Sequence, residues 1–474
     1  MNLDKPKTEN TFNQPIPVLG GLQAVLDSFG PWRAIKGKTT LFLPLITLGA
    51  FALGILLGAV SEGLSDLVNT TANAFIEFYS IFAPVLIFLV LSPVLSRILS
   101  TRQRGKFGLY VVGWLAVSKI VAMLFAVLFT ALIFGMPVIS SGSVSIWDAL
   151  SQTGKTLLNT LTVSQYFWAI YAAIAIGVIA IKVVRLARLL EKGVTGIEYV
   201  GQYIQPFIPL FMVAIGVYVQ SLPENLEEQL GLSDAVTEFH RLSILGLHPD
   251  PNTSSGMVAA YLLGALLVGI AAFIWHFGLL GLTKWKVKEF SIKGYFKNYW
   301  IKAYPLLWAT SSETIATPLN LYILRKHAPW VRPTVRRLVA GMGSVLCTNG
   351  TLISVYILVG LVGGILGLEF SLLELMLSIP VVFLISFGIP GIPGELLLFA
   401  GPLAMILPVP DEMGSLFLAL YLGLQIGLPD SFRTGCNTTN NYVYCILLNE
   451  TYKSRFMAKE SKGEMAEPED WKND

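Results

Sequence analysis

The chain has 474 residues, 54% of them hydrophobic and 13% charged, with a formal net charge of +3. Soluble domains carry about 25% charged residues, so this composition excludes an ordinary soluble protein and requires much apolar surface to face lipid. A net charge this small gives no reason to expect a nucleic-acid partner.

In chain order, residues 1–38 form a polar tail with no apolar stretch followed by a small-residue cleavage site, so no secretory signal peptide is expected. Apolar runs follow at residues 41–60, 107–134, 167–184 and 257–282. Each is near or beyond the ~20 residues that cross a hydrocarbon core as a helix. Arg97, Arg102, Arg104 and Lys106 share one loop, and Lys182, Arg185, Arg188 and Lys192 another. Lys284, Lys286, Lys288, Lys293 and Lys297 mark a third, whereas Glu224, Glu227, Glu228, Asp234 and Glu238 make an intervening loop acidic. The positive-inside rule then puts the basic loops and both tails in the cytoplasm, for a multi-pass protein of the plasma (inner) membrane.

Cys347, Cys436 and Cys445 form no CxxC pair, and none of the four histidines stands four residues from another. Neither a metal site nor a cofactor is therefore expected. His276, inside the 257–282 run, reads either as a hydrogen-bonded packing residue or as a proton relay. No HExxH or GxSxG is present, and serines without a paired histidine are poor nucleophiles, so an enzyme is not expected.

Beyond residue 282 the apolar segments change character. Residues 294–324 have apolar and aromatic flanks interrupted by Thr310, Ser311, Ser312, Glu313 and Thr314, with basic residues on both sides. Such a segment is expected to enter and return from the cytoplasm as a helical hairpin with a polar tip. A second hairpin is expected over residues 372–409, where GIPGIPGE, ending in Glu395, breaks the helix and acidic flanks suggest entry from outside. Two interrupted segments of opposite orientation point to a solute site built from half-helix ends, the alternative being two kinked spans.

Between the hairpins, Cys347, Thr348, Asn349, Gly350 and Thr351 are expected to unwind a span near its middle. In the last span, Asp430, Arg433, Thr434, Asn437 and Asn441 recur at three- and four-residue steps and line one helical face. Ionisable groups at such depth are costly and mark function by default, although Asp430 and Arg433 could simply neutralise each other. A channel would spread polar residues along a pore, whereas here they gather in four adjacent segments.

By motif order, residues 280–455 resemble the dicarboxylate/amino acid:cation symporters, the family of glutamate and aspartate transporters. SSETIATP is similar to the first hairpin tip, CTNGT stands where the family has NMDGT, GIPGIPGE resembles the second tip, and DSFRTGCNTTNN follows D-x-x-R-T-x-x-N-x-x-x-D. The resemblance implies an all-α membrane protein with about eight transmembrane helices, two re-entrant hairpins and inverted repeats. It further implies an elevator-type transporter that is usually a homotrimer. The scaffold would lie mainly in residues 39–282, with the third span joining a transport domain at 283–455, before a cytoplasmic tail at 456–474.

On this resemblance Arg433 would take the side-chain carboxylate of an acidic solute, aspartate or glutamate, and Asp430 its ammonium group. Thr351, Thr434, Asn437 and the main chain at Ser311, Ser312, Ile392, Pro393 and Gly394 would hold the rest. Departures bear on coupling. The two aspartates of the family's sodium sites are Asn349 and Asn441 here, and Cys347 replaces an asparagine. Sodium needs hard, preferably anionic oxygen ligands, so sodium coupling is expected to be weak or lost. Lys119 falls near the family's third sodium site, where its ammonium could stand in for a cation, exchange protons or snorkel to an interface. Glu313 and Glu395 are further candidates for proton coupling. A proton-coupled or uncoupled dicarboxylate transporter and an anion channel are the alternatives.

Overall fold

The computed structural model describes residues 42–71, 106–139, 165–183, 208–230, 240–311 other than 241 and 245, 313–389 and 396–457. Isolated positions between 74 and 93, 147 and 162, and 185 and 192 are described as well. Among these the fold is all-α, apart from turns and one isolated bridge between Ile244 and Leu247. The helices are α1 Phe42–Val60, α2 Lys106–Phe134, α3 Gln165–Lys182, α4 Ile208–Leu230 and α5 Ser254–Lys286. They continue with α6 Ile292–Tyr295, α7 Ile301–Thr310, α8 Glu313–His327, α9 Pro333–Leu346 and α10 Asn349–Leu366. The last four are α11 Leu372–Ile385, α12 Leu397–Ile406, α13 Gly414–Gln425 and α14 Leu428–Arg455.

Three stretches, Lys106–Phe134, Ser254–Lys286 and Pro333–Leu366, are long and apolar enough to cross a membrane. Two sharply bent pairs, Pro44–Val60 with Glu62–Thr71 and Gly414–Gln425 with Leu428–Arg455, bring the number to five. The remaining expected spans coincide with shorter apolar helices or lie outside the described residues. On α2, Leu109, Val117, Val121, Leu124, Leu128 and Leu132 are exposed while Val111, Leu115, Lys119, Met123 and Ala126 are buried. On α5, Leu262, Leu266, Ile270, Ile274 and Phe277 form a similar exposed stripe. Exposed leucines and valines at helical spacing need an apolar surface against them, which lipid supplies to helices of this length and hydropathy. The protein is an all-α polytopic membrane protein.

Backbone proximity fixes the frame. A Cβ on Gly54 would lie 2.1 Å from the Val213 carbonyl oxygen, and one on Gly216 would lie 2.3 Å from that of Phe51, so α1 and α4 touch main chain to main chain. Small residues permit this contact in lipid, where packing rather than hydrophobicity drives association. Helix α2 packs instead on α10 and α11, and α5 on α14.

Both interrupted segments are visible in part. α7 ends where Ser311 adopts left-handed backbone angles (φ 45°, ψ 33°), and α8 begins at Glu313. A π-helical stretch at Phe296–Trp300, which nothing in the sequence announced, leads into α7. In the second segment, α11 opens on a capping box between Ser371 and Glu374 and closes in a 3₁₀ turn at Ser386–Gly388. α12 resumes at Leu397 and packs on α11. The tip itself, with Ile392, Pro393, Gly394 and Glu395, lies outside the described residues, as does Ser312. The expected interruption between the hairpins is present but shorter than expected: α9 stops at Leu346 and α10 starts at Asn349, so only Cys347 and Thr348 leave the helix and Asn349, Gly350 and Thr351 form its next first turn.

Candidate functional site

Helix α14 is the unusual element, because it is polar in composition and yet buried over nearly its whole length. Among its buried residues are Asp430, Arg433, Thr434, Asn437 and Asn441. Ions and amides removed from water are tolerable only where partners replace their hydration. Those partners come from α7, α8, α9 and α10.

Arg433 is 1% exposed. Its Nη2 is ion-paired with Asp430 Oδ1 one helical turn earlier, and its Nη1 donates to Thr351 Oγ1 at 3.1 Å. Asn437 is the hub of the cluster. Its Nδ2 donates to Glu313 Oε1 at 2.5 Å and to Thr351 Oγ1 at 2.8 Å. Its Oδ1 accepts from the Gly350 amide at 2.6 Å and the Thr351 amide at 3.4 Å. These are first-turn amides of α10, which has no side-chain cap of its own, so a residue from another helix performs the capping. Gly350 makes the approach possible, since a Cβ there would sit 2.3 Å from the Arg433 carbonyl oxygen.

The first hairpin contacts this cluster twice, through Glu313 and through Ser311 Oγ, which lies 3.2 Å from Ser431 Oγ. Cys347 Sγ donates to the Asn437 carbonyl at 3.3 Å. The Thr434 hydroxyl is buried and has no hydrogen-bond partner among the described residues. The structure therefore brings Ser311, Glu313, Cys347, Thr351, Asp430, Arg433, Thr434 and Asn437 into one neighbourhood. Two carboxylates, one guanidinium and several hydroxyls and amides can together receive a small ligand that carries both charges.

Three of the other predicted residues stand apart from this cluster. Asn349 Nδ2 donates to Ser118 Oγ at 2.9 Å and to Tyr444 Oη at 2.7 Å, while Ser118 and Tyr444 share a short hydrogen bond. Asn441 turns toward α9, donating from Nδ2 to the Ala340 carbonyl at 3.1 Å. Lys119 is fully buried and donates to the Ser386 carbonyl at 2.8 Å and to Ser386 Oγ at 3.1 Å. His276 bonds Asn440 and Tyr295 through its two ring nitrogens, the packing arrangement that was one of its two readings.

Sequence reasoning missed Ser118, Tyr444 and Ser386, each paired with a residue more than 90 positions away. It also missed Tyr261, whose hydroxyl donates to the Ile426 carbonyl and accepts from the Leu428 amide, each at 2.8 Å. That bridge fixes the bend ahead of α14, where Gly427 takes φ 85°.

Residues 252–451 match the sodium:dicarboxylate symporter family. No curated protein matches the chain. The matched region runs from just before α5 through most of α14 and so contains the whole polar cluster.

Proposed function

We propose that this chain, whose matched C-terminal region belongs to the sodium:dicarboxylate symporter family, is a secondary transporter of an acidic amino acid. Members of that family are transporters and not enzymes. The observation that carries the reading is the buried Arg433–Asp430 pair set against Thr351, Thr434 and Asn437. An acidic amino acid carries a carboxylate for the guanidinium and an ammonium for Asp430, so one resting ion pair would be exchanged for two. A plain dicarboxylate would leave Asp430 without a cation, and an uncompensated buried charge is strongly unfavourable.

In this reading the main chain at Ser311, Ser312, Ile392, Pro393 and Gly394 holds the α-carboxylate. Transport proceeds by an elevator movement of the 283–455 region with α2, relative to a scaffold containing α1 and α4, in a homotrimer of the plasma membrane. Sodium coupling is weak or lost, and Glu313 and Glu395 are the carboxylates available for protons. A second reading, a dicarboxylate transporter, is favoured by one observation only, that Asp430 is already held by Arg433.

Arg433→Lys tests the first reading without unbalancing Asp430. Lysine keeps the charge and loses the two-pronged fork, so affinity for aspartate or glutamate should fall by roughly tenfold or more. Competition in proteoliposomes separates the two readings. Succinate displacing labelled aspartate as well as glutamate does would give the site to dicarboxylates, and unchanged binding in Arg433→Lys would remove Arg433 from it.

A further inference from the structure

Tyr421, on α13, is fully buried, and among the described residues it is the one tyrosine whose buried hydroxyl has no hydrogen-bond partner. The hydroxyls of Tyr261, Tyr295, Tyr299, Tyr356 and Tyr444 are all bonded. A hydroxyl withdrawn from water without a partner is a standing cost to the fold. A serine or threonine there could turn to the carbonyl one helical turn back, but a phenol extends too far from its own helix to do so. The Tyr421 ring is moreover stacked on Phe417, one turn earlier.

Tyr421 and Arg433 stand six residues to either side of Gly427, where the chain bends by 65° between α13 and α14. α13 also packs on α10, the helix that carries Thr351. Across this corner the Arg433 charge acts on the Tyr421 phenol. Thr434, next to Arg433 and already placed at the site, is the same kind of group, a buried hydroxyl without a partner among the described residues. We propose that the Tyr421 hydroxyl is a solute-binding donor, whose acceptor is the side-chain carboxylate that Arg433 holds. A phenol donates one hydrogen and a carboxylate offers two oxygens, so guanidinium and phenol can serve the same group from two directions. The inference rests on the transporter reading and adds a specificity-determining residue from a helix outside the polar motifs.

The experiment is thermal melting of the purified protein as aspartate is titrated in, which reads fold and site together, since a solute bound by the folded state raises the melting temperature by mass action. Tyr421→Phe deletes one hydroxyl and keeps the stacked ring. Without aspartate it should melt no lower than wild type, because the group removed has no partner. With aspartate it should need roughly tenfold more solute for the same rise, the loss of one hydrogen bond to a charged group. An unchanged aspartate requirement would overturn the proposal. So would a variant that melts lower without aspartate or does not accumulate, since the hydroxyl would then serve the fold. Succinate is titrated in parallel to keep the two readings apart. Wild type stabilised by succinate and not by aspartate would sink the amino-acid reading, and Tyr421→Phe would then be judged on succinate, whose carboxylate needs the same donor. Affinity lost in Arg433→Lys but kept in Tyr421→Phe would leave the solute site standing and remove Tyr421 from it.

Discussion

At the scale of single residues, the two asparagines that replace carboxylates are not equivalent. Asn349 donates to two hydroxyls that also bond each other, and either hydroxyl can rotate to become a donor itself. Asn441 donates to the Ala340 carbonyl, which cannot, and its Oδ1 would lie 2.0 Å from a Cβ placed on Gly343. Asn349→Asp should therefore cost less than Asn441→Asp, its carboxylate accepting from one of Ser118 and Tyr444 while the other hydroxyl keeps the bond the two share. Asn441→Asp should lose on the order of 3 kcal/mol, because a buried carboxylate would face a carbonyl oxygen with no proton between them. Melting temperatures at one pH decide this, and equal losses in the two variants would show that the hydrogen-bond pattern does not govern these positions. The polar stripe on α14 was legible from spacing alone, but the partners were not. Asn437 caps α10 from 86 residues away and Lys119 reaches Ser386 across 267, and composition carries no record of which buried groups meet at such separations.

At the scale of elements, the hairpin break at Ser311 depends on a conformation that disfavours side chains. A left-handed residue other than glycine costs roughly 1–2 kcal/mol, and a β-branched one costs more. Ser311 offsets part of that through its bond to Ser431. Ser311→Gly exchanges the hydroxyl contact for relaxed backbone and should leave stability nearly unchanged, whereas Ser311→Val loses the contact and adds strain, for a deficit of about 2 kcal/mol or more. Melting of the two variants side by side is the measurement, and a Val variant as stable as the Gly variant would mean that the tip rearranges freely. The break itself was readable from SSET between apolar flanks, since a polar string cannot continue a lipid-exposed helix. The π-helical turn at Phe296–Trp300 was not readable, because its aromatic residues are equally compatible with ordinary helix and are fixed by packing, with Tyr299 stacked on Tyr442 at 3.7 Å between ring centroids.

At the scale of the whole molecule, exposed apolar stripes on α2 and α5 surround a polar interior, and the way its amides point bears on which ions can drive transport. A sodium ion needs several oxygen lone pairs converging on one point. Around Asn349 the amide turns its hydrogens toward Ser118 and Tyr444, so donors stand where cation ligands would be needed, whereas Asn441 donates to Ala340 and its Oδ1 has no hydrogen-bond partner among the described residues. Turning the Asn349 amide to offer its oxygen breaks two existing buried hydrogen bonds, each worth about 1 kcal/mol net and more where a donor is left unsatisfied, so an ion at Asn441 alone would lack the converging ligands it needs. Lys119 already supplies a positive charge near the second hairpin. Uptake and affinity for an acidic amino acid should accordingly be the same in sodium, potassium and choline salts at fixed pH, with any coupling appearing in a pH gradient instead. The measurement is initial uptake of labelled aspartate into proteoliposomes with sodium and pH gradients imposed separately. A steep gain with sodium alone would mean that main-chain and amide oxygens reorganise into a competent ion site once the solute is bound.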